Sequence, residues 1–243
     1  MIKKIVISLA LLVVIACVGV GTWMSVPFPY QQDVAEKALV SDADMHVLSE
    51  PWLQFQPSEG NPTTGLIFYP GGKTPASVFA PLMREIAANG YLTVSVPMPL
   101  NTAFLGIDKA QEVINANPEV QRWVIAGHSL GGVGASEYVK QADEKVKGLL
   151  LYASYPASDI SGLTIEVLSI YGSADQQSTP EKIKSYQDLL PSTAQYREIQ
   201  GADHWQFGAY QPSLSAGVAT ISHQAQQSAI MRATLEFLAS IEG

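Results

Sequence analysis

Cysteine is nearly absent. Of 243 residues only Cys17 carries a thiol, which excludes an intramolecular disulfide and any cysteine-based metal site. Basic clusters are missing too. Beyond Lys3 and Lys4 the lysines and arginines are scattered, and a formal charge of −8 opposes a phosphate backbone, so nucleic acid is excluded as a partner. No internal repeat or low-complexity tract is present, which argues against solenoids and disordered tails. Charged residues make up only 15% and hydrophobic ones 47% of the chain, a balance that fits one globular domain with an added apolar segment.

That segment is "MIKKIVISLALLVVIACVGVGTWMSV". No residue from Ile5 to Val26 is charged, and as a helix this run is long enough for a bilayer core of about 30 Å. Lys3 and Lys4 precede it and acidic residues dominate the stretch from Asp33 to Glu50, so the positive-inside rule places the domain outside the cytoplasm. The expectation is a transmembrane helix that anchors an extracytoplasmic domain. The alternative is a signal cleaved near Gly19 to Ser25, with secretion of the rest. "VIAC" at 14–17 loosely resembles a lipoprotein signal, but the residues after Cys17 stay apolar. The expected organisation is thus an anchor or signal at 1–26, a linker or short helix at 27–43 and a single folded domain at 44–243.

Within that domain "MHVLSE" and "WLQFQP" read as antiparallel edge strands around Glu50-Pro51. "GLIFYP" is a continuous apolar run, as expected of a strand buried on both faces. Helical and strand patterns then alternate to the C-terminus, ending on "SHQAQQSAIMRATLEFLAS" with Ser222 as N-cap. The alternation predicts an α/β fold with a mainly parallel sheet covered by helices on both faces. In such sheets ligands sit outside the carboxyl ends of the strands.

Chemistry concentrates at those ends. "VIAGHSLGG" places Ser129 between Gly127 and Gly131, after an apolar strand and before a helix-compatible stretch. A sharp strand-to-helix turn strains the serine backbone and needs small neighbours two positions away. A serine needs a base, itself oriented by an acid. Of four histidines, His46 lies in an edge strand, His128 is adjacent to the serine and His223 starts the last helix, which leaves His204 in "GADHWQFG". Asp175 in "GSADQ" follows the preceding strand and is the expected acid, with Asp159 as rival. An oxyanion hole would take the amide of Leu130 and that of Gly72, or failing it Lys73, from "YPGGKT".

"YPGG", "GHSLGG", "IYGSAD" and "GADH", in this order and spacing, resemble the α/β-hydrolase superfamily over about residues 45–241. The resemblance implies a serine hydrolase that cleaves esters through an acyl-enzyme, with a small-molecule substrate and no metal or organic cofactor. Pro70 stands where many relatives carry histidine. Two other readings remain open: an acyltransferase acting on envelope alcohols, and a binding domain on a catalytically retired fold. A cap is commonly inserted after the strand that follows the nucleophile helix, but here only "ASYPASDISGL" lies there, which predicts a lidless, shallow pocket. Its expected walls are the loop containing Asn101, together with Tyr155, Trp205 and Phe207, although those aromatics read equally well as core.

Overall fold

A computed structural model describes residues 2–141 and 143–243, with the side chains of the first helix described at position 7 and from 9 onward. That helix is α1 (Ile2–Ser25), followed by the short α2 (Gln32–Ala38). Eight strands form one sheet: β1 (Met45–Leu48), β2 (Leu53–Pro57), β3 (Thr64–Tyr69), β4 (Leu92–Ser95), β5 (Arg122–His128), β6 (Val146–Tyr152), β7 (Glu166–Gly172) and β8 (Gln195–Ile199). Their order is β1-β2-β4-β3-β5-β6-β7-β8. β1 and β2 are antiparallel to their neighbours, and β3 to β8 run parallel. The continuous apolar runs behave as expected: every residue of β3 is buried, as is nearly all of β5 and β7.

Helices cover both faces of the sheet. α3 (Ala80–Ala87) and α7 (His223–Glu242) pack with α2 on the face that carries Phe55, Leu66 and Phe68. α4 (Lys109–Ala116) and α5 (Leu130–Tyr138) cover the other face, over Ile67, Tyr69 and Ile125. Ser222 caps α7, its hydroxyl accepting from the Ala225 amide at 3.1 Å. α6 (Pro180–Ser185), capped by Thr179, is shorter than its sequence pattern: Tyr186 leaves helical dihedrals and stacks on Tyr155 at 4.4 Å. Between β6 and β7 there is no helix, so no cap is inserted at that point.

The N-terminal region departs from expectation in two ways. Among the described residues no helix is long and apolar enough to cross a membrane. Residues 27–43, expected as a linker or short helix, hold the short helix α2 and are tied to the domain rather than free of it. Ala35 and Ala38 are buried, and Arg84 Nη1 on α3 donates to the carbonyls of Ala38 at 3.0 Å and Val40 at 2.7 Å.

Candidate active site

β5 lies at the centre of the sheet and ends in the turn that carries Ser129. Ser129 has φ 51° and ψ −123°, a conformation costly for a residue with a side chain, and α5 begins at the next residue. The flanking glycines are required by contact. A Cβ on Gly127 would collide with the Gly131 carbonyl, and one on Gly131 would collide with the carbonyl oxygen of Tyr69 in β3. The tight crossing of β5 and α5 over β3 therefore admits no side chain at either place.

Two strands away, β7 delivers Asp175 and β8 delivers His204, each in the loop beyond its carboxyl end. His204 Nδ1 lies 2.7 Å from Asp175 Oδ2, and both side chains are almost wholly buried. The other carboxylate oxygen of Asp175 accepts from the amides of Gln177 and Ser178, each at 2.8 Å. Three donors thus fix the carboxylate against the imidazole, which leaves Nε2 of His204 on the side away from Asp175. Asp159, the rival acid, is exposed and accepts from the Ser161 amide at 2.9 Å, far from this arrangement in its bonding. Asp203 faces away, accepting from the Gln206 amide at 2.8 Å, and burial raises its carboxyl above the ordinary range.

Ser129 and His204 line one small cavity of about 30 Å³, together with Phe28, Gly72, His128 and Trp205 among others. Among the described residues no hydrogen bond joins the serine hydroxyl to the imidazole. The oxyanion candidates separate cleanly. The Lys73 amide donates to the Asn101 carbonyl at 2.8 Å, so Lys73 is corrected: its N–H is already committed. Gly72 and Leu130 adjoin, since a Cβ on Gly72 would lie 3.1 Å from Leu130 Cδ2, and the Leu130 amide sits in the first turn of α5, where helical N–H groups lack intrahelical acceptors.

His128 is drawn into this site by a different route from the one its sequence position implies. Its Nε2 donates to the His204 carbonyl at 3.1 Å, and its Nδ1 faces the Tyr210 hydroxyl at 3.5 Å. Burial, and then the neighbouring His204, hold its proton affinity well below the ordinary imidazole value, so it stays neutral and clamps the backbone of His204. Of the four pocket residues expected from sequence, Trp205 lines the cavity. The other three are corrections. Asn101 turns its amide to the Ser25 carbonyl at 3.2 Å, Tyr155 is stacked on Tyr186, and Phe207 is fully buried against His128 and Tyr152. Phe28, Thr74, Gln177 and Tyr210 line the cavity without having been legible as such; for Phe28 the only signal was an aromatic between two prolines in "PFPY".

A family model described as "Alpha/beta hydrolase family" matches residues 65–228. The chain belongs to this family. The matched stretch holds Ser129, Asp175 and His204 and leaves out Phe28. Two solved structures of similar shape are the dienelactone hydrolase from Anabaena variabilis and Est1E from Butyrivibrio proteoclasticus. The first aligns with TM-score 0.59 and 12% identity, over 81% of this chain and 97% of that one. The second aligns with TM-score 0.57 and 12% identity, over 81% and 100% respectively. At such identity the likeness is one of fold. No curated protein matches the chain in sequence.

Proposed function

We propose that this alpha/beta hydrolase is a serine esterase that cleaves carboxylic esters of small acyl groups through an acyl-enzyme. The observation that carries the reading is the buried 2.7 Å pair of His204 and Asp175 opening on the same cavity as the strained Ser129. In this mechanism the Ser129 hydroxyl attacks the ester carbonyl while His204 Nε2 takes its proton. Asp175 holds the imidazole and stabilises the imidazolium. The amides of Gly72 and Leu130 receive the developing oxyanion. His204 then protonates the leaving alcohol, and water, deprotonated by the same imidazole, releases the acid and restores Ser129.

The absence of a helical cap between β6 and β7 supports small acyl groups, acetyl to hexanoyl, as the best substrates. A p-nitrophenyl ester series from acetyl to dodecanoyl tests this: kcat/KM should peak at or below hexanoyl, and a peak at dodecanoyl would overturn it. We further propose that α1 holds the enzyme at a membrane with its domain extracytoplasmic. Support comes from the apolar side chains it leaves exposed, among them Leu9, Leu12, Ile15, Val18 and Trp23, and from Lys3 and Lys4 ahead of them in sequence. Retention in the membrane pellet after carbonate washing is the expected result; recovery of a soluble chain starting near residues 20 to 27 would mean a cleaved signal.

A further inference from the structure

The segment between α1 and α2 lies across the mouth of the site. Phe28 N donates to the Lys73 carbonyl at 2.9 Å, in the loop that follows β3. On the opposite rim Gln31 N donates to the Ala209 carbonyl at 2.8 Å, Gln211 N to the Pro29 carbonyl at 3.1 Å, and Gln31 Nε2 to the Tyr210 carbonyl at 2.9 Å. Both rims of the cleft therefore hold one short piece of extended chain. Pro27 and Pro29 flank Phe28, restricting their own φ and disfavouring helical conformation in the residue before each. The Phe28 ring packs edge to face with Trp205 at 5.0 Å and lies 5.2 Å from Lys73 Nζ.

Phe28 is shared by two spaces. On its inner side it lines the catalytic cavity, whose 30 Å³ suits about one water molecule and no acyl group. On its outer side it lines an open groove of about 750 Å³ with Tyr30, Gln32, Glu36 and Gln211. Of the two spaces that Phe28 lines, the groove is by far the larger. Phe28 is 38% exposed, so its ring can turn toward solvent while its backbone stays pinned.

We propose that Phe28 is the specificity-determining residue of the site: it partitions the groove from the catalytic cavity, and the clearance it leaves on turning aside sets the size of ester that reaches Ser129. The cap that is absent between β6 and β7 is supplied from the other end of the chain, and the larger part of the substrate lies in the groove. This rests on the serine esterase reading of the same site.

The test uses the full-length protein in detergent, p-nitrophenyl esters from acetyl to dodecanoyl, and a fluorophosphonate that reports on Ser129. Phe28→Ala should raise kcat/KM for octanoyl relative to acetyl by tenfold or more, since each further methylene accommodated is worth about fourfold. Phe28→Trp should shift the ratio the other way, and Phe28→Leu should keep the wild-type profile. A gain on long esters cannot come from misfolding. Normal Ser129 labelling with one length profile in wild type, Phe28→Ala and Phe28→Trp would overturn the role of Phe28 alone. Absence of Ser129 labelling in the wild type would overturn the esterase reading and this inference with it.

Discussion

The floor of the site and its roof come from different parts of the chain and obey different constraints. The floor, Ser129 with Asp175 and His204, stands at the carboxyl ends of β5, β7 and β8, where the parallel sheet fixes the spacing of every loop. The roof is Phe28, in a segment held by the hydrogen bonds of Phe28 to Lys73, Gln31 to Ala209 and Gln211 to Pro29, which span from tens of residues to most of the chain. The floor is positioned by a rigid scaffold and so can hold reacting groups to the tolerance that proton transfer requires. The roof is pinned only through its backbone and leaves its side chain free to turn. In the proposed mechanism the floor decides whether a bond is broken, and the roof decides which ester is admitted.

Variants should separate the two. The largest effect belongs to the floor. His204→Ala should abolish turnover on every ester in a series, and Asp175→Asn should lower kcat by about 10⁴-fold with the fold intact, because the imidazole loses its orientation and its preferred tautomer. Steady-state kinetics with circular dichroism check both. A loss confined to long esters would erase the distinction between floor and roof. Next comes Gly131→Ala, whose Cβ has no room beneath the Tyr69 carbonyl. It should cost about 3 kcal/mol of stability, read from urea denaturation.

A smaller effect concerns His128, beneath the base. Its folded-state proton affinity is depressed by burial, whereas the unfolded chain takes up a proton near pH 6.5. Stability should therefore be full above that pH and fall as pH drops through it, with a limiting slope from this group of about 1.4 kcal/mol per pH unit. Denaturation at pH 7.5 and 5.5 should show a shallower fall in His128→Gln than in the wild type. The smallest effect is expected at Asp159, exposed and bonded only to its own turn: Asp159→Asn should leave kcat/KM within about twofold. A drop as steep as that of Asp175→Asn would mean that the acid has been misassigned.

The same contrast explains what the sequence makes legible. Ser129 announces itself because the close approach of the start of α5 to the ends of β5 and β3 forbids side chains at Gly127 and Gly131, a constraint that leaves a short local pattern. Asp175 and His204 are legible through chain order and through strand patterns that place them at carboxyl ends. Asn101, Tyr155 and Phe207 were less so, because an aromatic or amide in a loop carries no mark of whether it faces a cavity, a neighbour or the core. Lys73 illustrates a further limit: which amide of "PGGKT" is free depends on the Asn101 carbonyl, a partner remote in sequence. Phe28 is the extreme case, since its backbone partner Lys73 and its ring partner Trp205 are both distant along the chain.

Floor and roof alike depend on Ser129 being an activated nucleophile oriented by His204 and Asp175. Fluorophosphonate labelling of the full-length protein, followed by peptide mass spectrometry, reads that activation at the residue itself. One adduct on the peptide containing Ser129 is the expected result, lost in Ser129→Ala and in His204→Ala. Labelling that persists at full strength in Ser129→Ala, or a wild-type protein that takes up no label, would contradict it.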